Sequence, residues 1–347
     1  MKNTIKKIIA AILCMAFALC IAACDNTDNN TDKPVTSDGE LAFSDAVHSD
    51  NDELIVPNVM ALKGPTGMGM AYLMDNRGEG EYNISLTTAP EDVVSSIVAG
   101  STDIAAVPVN LAATLYNKLE GDLQMLAVNT LGVLYVLENG DSIESIEDLA
   151  GKKIYATGQA STPEYILNYI LEENGLDDVE VEYIADHSEL ATLMAEGKAD
   201  IGMLPEPNVT ATMAKNKDLR IALNLTEEWE KVSDAQLAQG CIVARRDFVE
   251  GNPELIETFM SDYEKSVAFV NEDEEAPELI AKYEIIAKAA LAKKAIPNCN
   301  IVFITGEDMQ ETADGMFEVL FEANKKSVGG KIPGDDFYYP TAEKADK

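Results

Sequence analysis

The chain has 347 residues, 46% of them hydrophobic, and a net charge of −35 at pH 7. That apolar share excludes disorder for the bulk of the chain and is enough for two domains or two lobes. So negative a surface repels nucleic acid and anionic headgroups at long range, which excludes nucleic acid as a partner and fits solubility outside a cell.

Lys2, Lys6 and Lys7 precede an apolar run over residues 8–23 that closes on Ile21, Ala22, Ala23 and Cys24. The run is shorter than the roughly 18 to 20 residues of a membrane-spanning helix, so residues 1–23 read as a secretory signal peptide. The small-small-Cys ending resembles the lipobox of bacterial lipoproteins. That resemblance implies lipid on Cys24, which becomes the first mature residue, and a location on the outer face of the cytoplasmic membrane. Residues 24–51, with "DNTDNNTDKPVTSDGE", are polar and acidic and are expected to form a flexible tether, the folded part starting near Asp52. Losing residues 1–23 removes three lysines and no acid, taking the charge from −35 to −38. Of five cysteines, Cys241 and Cys299 then remain beside the anchor. With no CxxC spacing and no companion histidines they do not read as a zinc site. A Cys241–Cys299 disulfide and two buried thiols are both open.

From Leu54 short apolar runs alternate with helical segments. "LIVPNVMAL" reads as a strand, "GPTGMGMAYLM" as a glycine-rich turn opening a helix, and "EYNISLTT" as a second strand. "PEDVVSSIVAG" follows as a helix between Pro90 and Gly100, "TDIAAVP" as a third strand, and "VNLAATLYN" as the next helix. "LQMLAVNTLGVLYVLE" is apolar throughout and reads as one or two buried strands. The pattern then restarts: strand "GKKIYATG", helix "STPEYILNYILEENGL" capped by Ser161 or Thr162, strand "VEVEYIA", helix "HSELATLMAEG", strand "ADIGMLP". "QLAQGCIVARRDFV" reads as a strand leaving this second half. "NPELIETFMSDYEKSVAFV" reads as a helix with Leu255, Ile256, Phe259, Met260, Tyr263 and Val267 on one face. Residues 274–326 read as mostly helical and "PGDDFYYP" as irregular.

The two halves share order and spacing. Asp103 and Asp200, Ile104 and Ile201, and Pro108 and Pro205 are each 97 apart, whereas Asn110 and Asn208, Ala113 and Ala211, and Thr114 and Thr212 are 98 apart. One strand–proline turn–helix unit therefore occurs twice, and the fold class is α/β with parallel units. Ligands of such sheets bind beyond the carboxyl ends of the strands, where helix N-termini offer free N–H groups. The loops placed there are 63–68, 107–110, 157–162 and 204–208. No loop fits a phosphate-loop or dinucleotide fingerprint, so no cofactor is expected. His48 and His187 are the only histidines, no serine lies in a GxSxG context, and no HExxH or clustered metal spacing occurs, so the chain does not read as an enzyme. Trp229, Tyr135 and Tyr165 read either as cleft-lining or as packing aromatics.

Together the lipobox, the tether, "LKGPTGMGMAYLM", "DIAAVPVNLAATLYNK", "LAVNTLGVLYVLE", "IYATGQASTPEYILNYIL", "KADIGMLPEPNVTATM" and "GCIVARRDFVEGNPE" resemble the solute-binding lipoproteins of ABC importers, in the nitrate/sulfonate/taurine/thiamine-precursor branch. The resemblance spans roughly residues 54–339. It implies a type II periplasmic-binding fold, two α/β lobes around a ligand cleft, joined by crossover strands near residues 129–135 and 239–243. Residues 52–130 and 243–347 would form the first lobe and residues 131–242 the second. It implies a ligand shell of Gly64, Pro65, Thr66, Gly67, Pro108, Asn110, Leu131, Gly132, Gly158, Gln159, Ser161, Thr162, Pro205 and Glu206. Its implied partners are a small molecule, an ABC permease and its ATPase, and the membrane through the N-terminal lipid, with the protein a monomer. Lys63 is the one cation of these loops and Glu206 opposes an anion, which keeps a neutral or cationic pyrimidine beside sulfonate and nitrate. The competing readings are a ligand-sensing or surface-interaction lipoprotein without a permease, and an exported hydrolase built on Ser161 and His187.

Overall fold

Runs rich in Val, Ile and Ala cover both faces of a strand with apolar side chains, so such strands need helices on each side. The computed structural model describes residues 55–340, in which these runs build two sheets. The expected signal peptide, Cys24 and the tether lie outside the described residues.

The first sheet opens with β1 (Asn58–Leu62), the short helices α1 (Pro65–Met68) and α2 (Ala71–Met74), and β2 (Asn83–Thr87). It continues with α3 (Pro90–Val98), β3 (Ile104–Pro108), α4 (Val109–Lys118) and β4 (Leu123–Thr130). The chain then enters the second sheet through β5 (Leu134–Asn139), followed by β6 (Lys153–Ala156), α5 (Thr162–Glu173), β7 (Glu180–Tyr183) and α6 (His187–Ala195). That sheet ends with β8 (Ile201–Pro205), α7 (Asn208–Lys215), β9 (Leu219–Asn224) and α8 (Leu225–Glu230). The return is β10 (Gly240–Arg245), α9 (Arg246–Gly251), α10 (Pro253–Glu272), α11 (Ala276–Lys282), α12 (Ala289–Ala295), β11 (Ile301–Ile304) and α13 (Gly306–Ala323).

Strand order is β11-β4-β10-β3-β1-β2 in one sheet and β7-β6-β8-β5-β9 in the other. Each sheet holds a parallel unit, β2-β1-β3 and β7-β6-β8, and the duplicated proline ends its third strand. Beside that third strand lies, antiparallel, the strand that has just arrived from the other sheet: β10 against β3, β5 against β8. The sequence repeat is thus a repeat of topology.

Every residue of β4 is buried, as expected for a strand covered on both faces. One apolar cluster runs through both halves, with Val107, Val109 and Tyr116 from the first and Leu134, Val136, Tyr165 and Trp229 from the second. Trp229 is 0% exposed, its indole N–H donates to the Ala235 carbonyl at 2.7 Å, and its ring lies 4.8 Å from that of Tyr169. It is a core residue that fixes the segment returning to the first sheet, not a ligand-stacking one.

One expectation is corrected and another is refined. "GPTGMGMAYLM" forms two short helices, not one, because Gly69 breaks it where the Tyr263 hydroxyl presses in; a Cβ there would lie 2.1 Å from that oxygen. Residues 274–326 are mostly helical, as expected, but within them "IVFI" pairs with the free edge of β4 as β11, with only Ile301 and Ile304 in register across an irregularity. So short an edge strand carries little pattern of its own. Among the described residues no helix is long and apolar enough to cross a membrane.

Replacing Trp229 tests its core role. Trp229→Ala is expected to cost about 3–5 kcal/mol and Trp229→Phe, which keeps a ring but leaves the Ala235 carbonyl only its 3.4 Å bond from the Ser233 hydroxyl, about 1–2 kcal/mol, both measured by urea unfolding followed by circular dichroism.

Candidate functional site

The carboxyl ends of the two parallel units are the places to look, since there the backbone leaves its ladder and N–H groups fall free. Four main-chain and side-chain bonds join the two duplicated turns. The Val109 N–H donates to the Gln239 carbonyl at 3.1 Å and the Gln239 N–H to the Thr130 carbonyl at 2.9 Å. The Gln239 side-chain oxygen accepts from the Val133 N–H at 3.2 Å, and the Val133 carbonyl accepts from the Glu206 N–H at 2.9 Å. Both crossing segments are therefore stitched together between Pro108 and Pro205.

Glu206 is 2% exposed. One of its oxygens accepts from the Thr210 N–H at 3.1 Å, the other from the Thr210 hydroxyl at 2.7 Å and from the Asn298 side-chain amide at 3.1 Å. It lies one residue before Pro207, the N-cap of α7, and its carboxylate meets an N–H of the first turn at the positive end of the helix. Burial raises its pKa above 4.5, and the bonds from Thr210 and Asn298 pull the other way. The carboxylate is thus committed to the protein, which corrects the expectation that it stands free against a ligand. Burial, followed by the Glu206 charge, raises the neighbouring Cys299 thiol.

Asn298 belongs to the return helices of the first sheet, so its bond to Glu206 crosses between halves. So do two others nearby: the Tyr135 hydroxyl donates to the Asn298 carbonyl at 2.9 Å, and the Asn300 side-chain amide donates to the Gly132 carbonyl. The Leu131 N–H donates to the Asn300 carbonyl at 3.0 Å. The Asn129 side-chain amide donates to the Thr66 carbonyl at 2.9 Å and to the Tyr263 hydroxyl at 3.0 Å, which ties the loop after β1 to the end of β4.

Of the expected shell, Pro108, Asn110, Leu131, Gly132, Pro205 and Glu206 thus gather around the crossing strands, and Gly64, Pro65, Thr66 and Gly67 join them through Asn129. Gly64, at φ +103°, supplies the turn into α1 that leaves Thr66 in reach. Gly158, Gln159, Ser161 and Thr162 are folded on their own sheet: the Ser161 hydroxyl donates to the Gly158 carbonyl at 2.6 Å, and Thr157 meets Nδ1 of His187 at 2.6 Å. Among the described residues no hydrogen bond ties that loop to the first sheet. The nearest link is from Asn324 to the Tyr165 hydroxyl at 2.9 Å. Neither α4 nor α5 has a side-chain cap, whereas Asp186 caps α6 and Glu206, just before the Pro207 N-cap, accepts from the first turn of α7. The uncapped N-termini of α4 and α5 thus come from opposite halves.

Other expectations find their answers here. Ser161 and His187 bond to different partners, so they form no nucleophile–base pair; burial lowers the His187 pKa and keeps the ring neutral. Lys63 lies 3.7 Å from Glu284 and is not a free cation. Cys241 and Cys299 are both buried free thiols, so the structure holds no disulfide between them. Sequence reading missed Gln239, Asn129, Thr210, Asn298 and Asn300. Only the last two left a signal, as polar residues flanking Cys299 inside an otherwise apolar stretch.

Residues 85–276 match the family model described as NMT1/THI5 like. A search of curated proteins returns no match. Among solved structures, an ABC transporter protein from Parabacteroides distasonis superposes with a TM-score of 0.72 at 22% identity, covering 82% of this chain and 99% of that one. The periplasmic aliphatic sulphonate binding protein of Escherichia coli superposes at 0.62 with 18% identity, covering 81% and 95%. The ligand-binding component of an ABC-type import system from Staphylococcus aureus gives 0.59 with 13% identity, covering 82% and 96%. At these identities they show the shared periplasmic-binding fold.

Glu206→Ala strands the Thr210 N–H and the Asn298 amide and is expected to cost about 1–3 kcal/mol. A carboxyl raised by folding contributes stability that is fully present below its unfolded pKa, near 4.5, and lost as pH rises through its folded value. The margin of wild type over Glu206→Ala should therefore be largest near that unfolded pKa and shrink toward neutrality, as read by thermal unfolding across that range.

Proposed function

The chain belongs to the NMT1/THI5-like family, and from that premise we propose that it is the solute-binding lipoprotein of an ABC importer. It captures a small molecule between two lobes, residues 52–130 with 243–347 and residues 131–242, and delivers it to a permease driven by an ATPase. Lipid on Cys24 holds it at the outer face of the membrane and residues 24–51 act as its tether, the protein working as a monomer without chemistry of its own.

The observation that carries this reading is the stitching of the duplicated turns through Gln239 and Val133. It places two crossing strands side by side at the boundary of two sheets, a short hinge about which the sheets turn while each keeps its ladder. A ligand that touches both halves binds the closed arrangement better than the open one, and that difference drives closure. The uncapped N-termini of α4 and α5 supply N–H donors from opposite halves, with Gly64 to Gly67 and Gly158 to Thr162 beside them.

This donor set suits a ligand rich in hydrogen-bond acceptors. With Glu206 spent on α7, a sulfonate- or nitrate-like anion meets no free carboxylate from that loop, and the ring nitrogens of a thiamine-precursor pyrimidine present acceptors to the same donors. The sulphonate binding named for the Escherichia coli neighbour accords with the first of these.

Thermal unfolding against alkylsulfonates, taurine, nitrate and aminopyrimidines tests the proposal. A captured ligand at 100 times its Kd stabilises by about 2.7 kcal/mol and lifts Tm by several degrees. If neither this panel nor a small-molecule cell extract moves Tm, and no small molecule is retained through purification, solute capture is wrong.

A further inference from the structure

Against 61 Asp and Glu in the chain, residues 207–217, "PNVTATMAKNK", and residues 285–306, "IIAKAALAKKAIPNCNIVFITG", contain lysines but no acid. The first carries α7 on the second sheet and the second carries α12 beside the first sheet, and these two helices meet. Between them lies a groove of about 270 Å³ with Met213, Leu219 and Ile221 in its lining and Lys217 and Lys294 among its walls. Thr210 and Asn298, the donors to Glu206, also line it.

Half of the twenty lysines and arginines in the described residues pair with a carboxylate that is itself among the described residues. Of the ten that do not, five are Lys215, Lys217, Lys288, Lys293 and Lys294, all exposed and all on or flanking these two helices. Lys217 is steadied instead by donating to the Met213 carbonyl at 3.1 Å. Of the four acids that flank these stretches, Glu206 is buried and Glu284 is paired with Lys63, while Asp218 and Glu307 are exposed. Even spacing of charge would not concentrate uncompensated lysines on two touching helices of so acidic a protein.

We propose that this lysine-rimmed groove is a docking surface for an acidic segment of a protein partner, which under the transport reading above is the permease. An apolar lining with a cationic rim receives side chains as well as charge, which is how a folded protein partner is met. One wall belongs to each sheet, so the separation of Lys217 and Lys294 follows the hinge, and a partner seated there senses whether the halves are closed.

The test uses the full chain and a fluorescent 20-residue polyglutamate peptide at about 50 mM salt, where exposed charges act over roughly 14 Å, with phosphatidylglycerol vesicles as the second probe. Wild type should bind the peptide, less tightly as salt rises. The pair Lys217→Glu/Lys294→Glu should weaken it at least tenfold, and Lys325→Glu/Lys326→Glu, an equal charge change elsewhere, by less than twofold. Equal loss in both pairs, no loss in the first, or no peptide binding by wild type overturns the proposal. So does binding to the vesicles, but not to the peptide, that the first pair abolishes. Unfolding curves of the same variants report their folding, and ligand-induced Tm shifts on them separate a failure of docking from a failure of solute capture.

Discussion

Val109 and Glu206 sit in different halves of the chain, and the bonds through Gln239 and Val133 hold them in one backbone network. The rest of the molecule depends on this constraint. A chain that passes twice between two sheets must satisfy its N–H and C=O groups along both passages, because each buried group left unpaired costs about 1–3 kcal/mol. Here each passage satisfies the other, and the arriving strands β10 and β5 then join the ladders of β3 and β8.

The same economy accounts for Glu206. An unpaired carboxylate at 2% exposure would be costly, yet the first turn of α7 has donors to offer, and Thr210 supplies both its N–H and its hydroxyl. Asn298 completes the arrangement from the other half, with Tyr135 bonding back to the Asn298 carbonyl. In the first half the equivalent turn carries Val109 and leaves α4 without a side-chain cap. One copy of the duplicated turn is thus sealed by its own acid and the other is left with donors to give, an asymmetry that makes one helix terminus structural and the other available.

Polar asparagines mark the boundary throughout. Asn129, Asn298 and Asn300 each use their side chain to reach a loop or strand that backbone pairing alone does not fix. Lys217, just after α7, and Lys294 of α12 line the groove where these two helices meet, beside Asn298.

Strand, helix and repeat were legible in the sequence because burial on both faces forces apolar runs, and because Pro, Gly and the 97-residue offset punctuate them. The lone tryptophan, the short edge strand β11 and the broken helix after Gly64 were not, since each is decided by what packs against it: Tyr169, β4 and Tyr263 respectively. The candidate site divides the same way. Its loops could be placed from topology, as the carboxyl ends of parallel strands are fixed once the strands are. The free or committed state of each group could not, because Glu206 meets Asn298 and Lys63 meets Glu284 only through contacts distant in sequence. The sequence by itself determined the order of elements and their duplication, which are local consequences of side-chain pattern. Tertiary structure decided which polar groups were already spent, because a hydrogen bond needs its partner within about 3 Å, and chain order does not set that distance.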